Sequence, residues 1–382
     1  MESYENVNGI ITEATLYLYQ VHGTKKFSFG TWTSRQHVFA AIRADGMTGY
    51  GENIISVNQP DVSLEQWSAR IKELTGRTVG DAIRYLRSNL GNWPDRLTEM
   101  AEMCLVDLWG KLVHRNALDL LGLSDRVPVN GVYVILSDDI DYVEERTRFA
   151  VSCGKTNYIK VKLFGDEELD VRVIRAVRKY LSPQDTYLIG DVNCGYRPRE
   201  SRESVRGLED TLKRLYEAGL NACEDPGMLE RDQWTALQDS VSPLSLIPDY
   251  PMRPARKAEK WIVKGMGDIY NIHPGCSASI LDAVSLAKRI KSLGSGLMIG
   301  DDSLIGPACS IWQQLAVGLG ADWVEAVEKE GESDFYYRSV IALPTDSRRN
   351  PIGLRTTESG FGICLDEEIL RQAAYKVVKV TL

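Results

Sequence analysis

From residue 127 onwards the chain alternates short apolar strands with amphipathic helices, and this alternation restricts the fold more than any other feature. Strands are read at VPVNGVYVI (127–135), YIKVKLF (158–164), TYLIGDVN (186–193), NACED (221–225), SLIPDY (245–250), IYNIHP (269–274), GLMIGDD (296–302) and DWVEAV (322–327). Helices between them include 166–181, 203–219, 278–293 and 307–319. In 278–293, Ile280, Leu281, Val284, Ala287, Ile290 and Leu293 form one apolar stripe. Eight such strands are what a (β/α) barrel requires. A doubly wound open sheet is the competing layout. The upstream segment reads as α+β, with strands at 10–21 and 37–44, turn glycines in DGMTGYGE (45–52) and helices at 63–75, 78–90 and 95–121.

The 382 residues suffice for one large domain and a smaller one, and 43% apolar content supports a sizeable core. The net charge of -8 argues against a nucleic-acid partner, which needs a basic face. No run of 18 apolar residues occurs, so no membrane span is expected. The start, MESYENVNGI, has no signal-peptide pattern. Seven cysteines without a C-x-x-C pair suit a reduced, cytoplasmic protein. Cys194 and Cys223 read as small buried apolar residues.

Lys160 and Lys162 share one face of their strand, and Ile159, Val161 and Leu163 share the other. In a barrel the apolar face meets the helices, so both lysines point into the lumen near the strand's C-terminal end. Buried lysines need counter-charges. The next three strands supply them in Asp191 (with Asn193 on the same face), Glu224 and Asp249, spaced by 33 and 25 residues. Neighbouring parallel strands lie about 4.8 Å apart, so these carboxylates converge. Their mutual repulsion calls for a cation, and hard oxygen donors select Mg²⁺, with Mn²⁺ as a substitute.

This constellation resembles the enolase superfamily, in its mandelate racemase/muconate lactonizing branch. The matching pieces are K-x-K at Lys160 and Lys162, D-x-N at Asp191 and Asn193, E-D-P at Glu224 to Pro226, and Asp249. MCLVDLWGKLVHRNALDLLGL (103–123), GYGE (49–52) and SGFGICLDEEIL (359–370) fit as well. The resemblance implies a modified (β/α)7β TIM-type barrel with an α+β capping domain. The boundaries expected are 1–125 for the cap, 126–350 for the barrel, and 351–382 for a tail returning to the cap. It implies Mg²⁺ on Asp191, Glu224 and Asp249, Lys162 as base, and Lys160 against the developing oxyanion and lowering the Lys162 pKa by repulsion.

Lactonizing and epimerase members carry a second lysine at the sixth strand, where this chain has His273. Members resembling mandelate racemase carry a histidine at the seventh strand, where this chain has Asp301 and Asp302. The expectation is that His273 faces the substrate opposite Lys162 and that Asp301 or Asp302 orients its ring. Lys25, Phe29 and Trp32, in a capping-domain loop at 23–34, are candidates to contact the distal part of a small carboxylate substrate. Glu325 and Glu328 on the eighth strand either reach the pocket or form a solvated face, the second being the commoner arrangement. The function implied is abstraction of the α-proton of a carboxylate to form a metal-stabilised enediolate, then racemisation, epimerisation or cycloisomerisation. Dehydration of a hydroxy or sugar acid is the alternative, because the second lysine is absent. A metal-free Schiff-base lyase and a non-catalytic binding protein stand behind it. Members are often homo-oligomeric, although no interface is legible in the residues.

Overall fold

Apolar alternation near the start builds three long antiparallel strands, β1 (Ile11–Phe27), β2 (Gly30–Ala44) and β3 (Met47–Val57). The computed structural model describes residues 2–57, 63–123, 125–197, 205–327, 329 and 331–382. The turn expected across 45–52 is confined to Asp45 and Gly46, both with positive φ (47° and 77°). GYGE therefore lies inside β3. Its Gly51 lets the helix at Asp95–Leu112 lie on the sheet, since a Cβ there would sit 2.4 Å from the Met100 carbonyl oxygen. The expected loop at 23–34 is instead the tip of the β1–β2 hairpin.

Helices α1 (Leu64–Lys72), α2 (Val79–Ser88), α3 (Asp95–Leu112) and α4 (Ala117–Leu120) follow. The single helix expected over 95–121 is broken. His114 takes φ 54°, and the Asn116 side chain caps α4 by accepting the Leu118 N–H.

The barrel begins with β4 (Asn130–Gly131) and β5 (Tyr133–Ile135), one stave interrupted at Val132. Then come α5 (Ile140–Ser152), β6 (Tyr158–Lys162), α6 (Glu167–Arg178), β7 (Tyr187–Asp191), α7 (Val205–Glu217), β8 (Ala222–Glu224), α8 (Arg231–Val241) and β9 (Ser245–Ile247). The start of the helix expected at 203–219 lies outside the described residues. The chain continues with α9 (Ala255–Trp261), β10 (Ile269–Ile272), α10 (Ile280–Ser292), β11 (Gly296–Ile299), α11 (Pro307–Leu319) and β12 (Trp323–Val324). All neighbouring barrel pairs are parallel, in the orders β5-β6-β7-β8-β9 and β10-β11-β12-β4. A hydrogen bond from Asn271 N–H to the Pro248 carbonyl (3.1 Å) links β9 to β10. The Val132 N–H reaches Val324 O at 2.9 Å. The floor of the lumen is filled by Val132, Ile189, Ala222, Ile247, Met298 and Trp323.

After α12 (Asp334–Ser339), β13 (Val340–Ala342) and β14 (Cys364–Leu365), the tail forms α13 (Glu367–Ala373) and β15 (Lys376–Thr381). β15 pairs antiparallel with β1 and completes the order β15-β1-β2-β3. Cap and barrel are joined by buried carboxylates. Glu52 of β3 accepts the N–H groups of Ile305 and Gly306, both at 2.7 Å, just ahead of α11. Glu102 of α3 accepts the Leu281 N–H (3.1 Å) and the Ser279 hydroxyl (2.7 Å) at the start of α10. Negative charge at a helix N-terminus meets unpaired N–H groups there. Among the described residues, no helix is long and apolar enough to cross a membrane.

Candidate active site

Lys160 and Lys162 lie in the lumen at the end of β6, 6% and 3% exposed, while Ile159, Val161 and Leu163 are buried on the other face. Their surroundings differ. The Lys160 ammonium is 2.7 Å from Glu224, 2.8 Å from Glu325 and 3.4 Å from Asp191. Burial opposes its charge, yet these three carboxylates hold it well above the ordinary lysine value. Lys162 touches Asp191 (2.8 Å) and sits 4.7 Å from the centre of the Phe27 ring. Burial lowers its pKa, and repulsion from Lys160 adds to that, against the pull of Asp191.

Asp191 and Glu224 end β7 and β8, whereas Asp249 follows β9 in the loop. Asn193 lies two residues beyond β7, and its N–H donates to Asp191 at 3.1 Å. Asp249 is ion-paired with Arg253, whose Nε is 3.2 Å from it. Asn271 donates to Glu224 at 3.0 Å. The donor set suits a hard divalent cation in chemistry. Asp191, Glu224, Asp249 and Glu325 sit against Lys160, Lys162 and Arg253. Burial, and then repulsion from neighbouring carboxylates, pushes Asp225 well up and Glu325 up to about 8, against the pull of the nearby cations. The Asn193 Oδ1 is buried without a hydrogen-bond partner beside this group.

Asp191, Glu224 and Asp249 line one cavity, with their oxygens not all within 4.8 Å of one another. Among the described residues, the set of three His, Cys, Asp or Glu side chains with ligand atoms all within 4.8 Å is His273, Cys276 and Asp302. The His273 set is a poor cation site, because Arg96 is ion-paired with Asp302 and lies 3.4 Å from the Cys276 Sγ. Burial also pushes the Cys276 thiol up to about 12.

His273 follows β10 and faces the cavity, but its ring is not oriented as expected. Asp301 is paired with Lys329 at 2.8 Å, and Asp302 with Arg96. The His273 Nδ1 instead lies 3.0 Å from the Pro274 carbonyl oxygen, which can only accept, so Nδ1 carries the hydrogen. Burial, and then the Arg253 charge, hold the imidazole well below its usual range, so it is neutral.

The hairpin tip covers this site. The Ser28 hydroxyl donates to Val192 O at 2.7 Å, and Lys26 is ion-paired with Asp138. Phe29 stacks on Phe27 at 5.2 Å, and Trp32 lies 4.6 Å from Phe27. Lys25 lies 3.4 Å from the Ser303 hydroxyl and 3.6 Å from Glu332. Lys25, Phe29, Trp32, both catalytic-candidate lysines, the three carboxylates, Asn193, His273, Asp301 and Asp302 line one cavity of about 880 Å³.

Residues 142–369 match the family described as Enolase C-terminal domain-like. The chain belongs to this family. Within the enolase superfamily it falls in the mandelate racemase/muconate lactonizing branch. Over 286 residues it is 26% identical to an N-succinylamino acid racemase of Thermus thermophilus, covering 72% of this chain and 73% of the relative. Over 304 residues it is 25% identical to a D-Ala-D/L-Ala epimerase of Cytophaga hutchinsonii, covering 76% and 79%. A dipeptide epimerase structure from Cytophaga hutchinsonii, complexed with Mg and the dipeptide D-Ala-L-Val, superposes with a TM-score of 0.77 at 20% identity, covering 97% of this chain and all of that one.

Set on this enolase-superfamily frame, the eighth strand corrects the sequence reading. Glu325 is 5% exposed and holds Lys160, where a solvated face was expected; Glu328 lies outside the described residues. The signal was available, since Glu325 shares the face of Trp323, which plugs the lumen, two residues earlier. Arg96 and Arg253 carried no such signal, because one comes from the cap and the other from a loop after β9.

Proposed function

We propose that this enolase-superfamily enzyme is a Mg²⁺-dependent racemase or epimerase, which removes the proton α to a carboxylate and returns one to the opposite face of the same carbon. The observation that carries the reading is the unequal setting of two lysines two residues apart. Lys160, bracketed by three carboxylates, keeps its charge and is suited to the negative charge that develops on the acid oxygens. Lys162, buried against Phe27 with one carboxylate partner, is depressed towards the range of a working base. Asp191, Glu224 and Asp249 would hold Mg²⁺, which acidifies the α-hydrogen by drawing electron density from the substrate carboxylate.

His273 sits on the sixth stave and Lys162 on the second of an eight-stave cylinder, so they stand across the lumen from each other. One enantiomer loses its proton to the neutral His273 Nε2 while protonated Lys162 supplies the new C–H hydrogen. The other enantiomer follows the reverse step, in which neutral Lys162 takes the proton and the imidazolium left by the first step supplies one. Amino-acid derivatives are the first substrates to test, in line with the relatives' names. N-acyl amino acids, dipeptides and sugar acids incubated in D₂O with Mg²⁺ should reveal a member whose α-hydrogen exchanges, followed by NMR. Exchange on the enantiomer that faces Lys162 should vanish in Lys162→Ala, and all exchange should vanish with EDTA. Exchange of both enantiomers in Lys162→Ala would remove Lys162 as the base, and loss of water without retained deuterated acid would make the enzyme a dehydratase.

A further inference from the structure

We propose that Glu99 is the carboxylate partner of His273, reaching it through the Pro274–Gly275 peptide. The orienting aspartates expected on the seventh strand are engaged elsewhere, by Lys329 and Arg96. The His273 Nδ1–H donates to the Pro274 carbonyl at 3.0 Å. The other end of that same peptide group, the Gly275 N–H, donates to Glu99 Oε1 at 2.7 Å. A peptide group is conjugated, so an acceptor pulling on its N–H places more negative charge on its oxygen. The oxygen then holds the imidazole hydrogen on Nδ1 more firmly and leaves Nε2 the more basic nitrogen. The arrangement does through one peptide what a histidine–carboxylate pair does by direct contact.

The rest of the turn is built to keep this chain of bonds in place. Glu99 is fully buried, and its Oε2 accepts the Ala278 N–H at 3.1 Å. The neighbouring Thr98 hydroxyl donates to Ala278 O at 2.8 Å, and the Ser277 hydroxyl to His273 O at 2.9 Å. Gly275 takes φ 83°, a conformation that costs glycine little. Burial pushes the Glu99 acid up to about 8, against the pull of the Gly275 and Ala278 N–H groups and Arg96. Both forms of the acid have an oxygen that accepts from Gly275. Glu99 is thus a positioning residue on the capping domain for a catalytic group on the barrel.

The inference rests on the role given to His273 above, but its test reads the ring directly and needs no turnover. The chain has four histidines, His22, His37, His114 and His273, so ¹⁵N-histidine spectra are simple, and His273→Asn identifies the signals that matter. In the unaltered protein, Nδ1 of His273 should carry the hydrogen and Nε2 should not. Glu99→Leu, which removes the acceptor of the Gly275 N–H, should weaken the preference for Nδ1–H about fivefold, the worth of one hydrogen bond. Glu102→Gln, which disturbs the start of α10 but does not touch the 274–275 peptide, should leave the His273 signals in place. The proposal is overturned if Nε2 bears the hydrogen in the unaltered protein, a result that needs no variant to fold. It is also overturned if folded Glu99→Leu leaves the signals unmoved, or if Glu102→Gln moves them equally.

Discussion

Replacing Lys160 by methionine keeps most of the stem and removes the ammonium that Glu224, Glu325 and Asp191 surround at 2.7, 2.8 and 3.4 Å. All three acids are buried, so water cannot take over the role of the lost charge. Removing one partner of a buried ion pair costs about 3–5 kcal/mol, and the upper half of that range applies where three acids depend on one cation. For a chain of this length the unfolding entropy near the melting point is about 0.8 kcal/mol per degree, so Tm should fall by about 5 °C at pH 7. The loss should shrink as pH drops towards 5, because protonated acids no longer need the ammonium. Millimolar Mg²⁺ should recover more stability in Lys160→Met than in the unaltered protein, since the freed lone pairs then have a cation to bind. Thermal unfolding followed by circular dichroism, with and without Mg²⁺, measures both effects. A shift below about 1 °C at pH 7, or a Mg²⁺ gain that is the same in both proteins, would refute the reasoning, because either means the acids do not depend on Lys160.

Lys162→Met should slow α-hydrogen exchange on an accepted substrate by about 10²–10⁴-fold, the usual contribution of a general base, as read by NMR in D₂O. His273→Asn should abolish net turnover yet leave exchange by Lys162; a normal product yield would exclude His273 from the reaction. Glu99 gives the fold a pH signature. Its acid titrates at about 8 when folded against an ordinary 4.5, so the unfolded chain ionises first and stability falls as pH rises from 4.5 to 8, then levels. The ceiling on this loss is about 5 kcal/mol. Urea unfolding across that window should show a flatter profile in Glu99→Gln, and parallel profiles would assign the slope to other groups. Ser28→Ala removes the hydroxyl that ties the hairpin tip to Val192 O and should raise KM several-fold with little change in kcat.

Periodicity and hard chemistry carried the sequence reading a long way. Lys160, Lys162, Asp191 and Glu224 stand on strands whose alternation dictates which face they share, so their arrival in one lumen follows from local rules. Asp249, Asp301, Asp302 and His273 lie beyond strand ends, where alternation stops and neighbours decide. Arg253 therefore took Asp249, Lys329 took Asp301 and Arg96 took Asp302. The hairpin tip at 23–34 reads as a loop in the sequence because the pairing of β1 with β2 past residue 21 is set by cross-strand partners. Its anchor, Val192 O, lies on another domain's strand end.

The amino-acid order alone determined the barrel, the inward lysines and the acidic strand ends, because side-chain alternation and charge compensation act over a few residues. Tertiary structure alone decided the partner of each charge, the burial of Glu325 and the tie from Glu99 to the His273 turn. Those contacts join residues up to 206 apart in the chain, and only closure of the barrel and packing of the cap against it bring them within hydrogen-bonding distance.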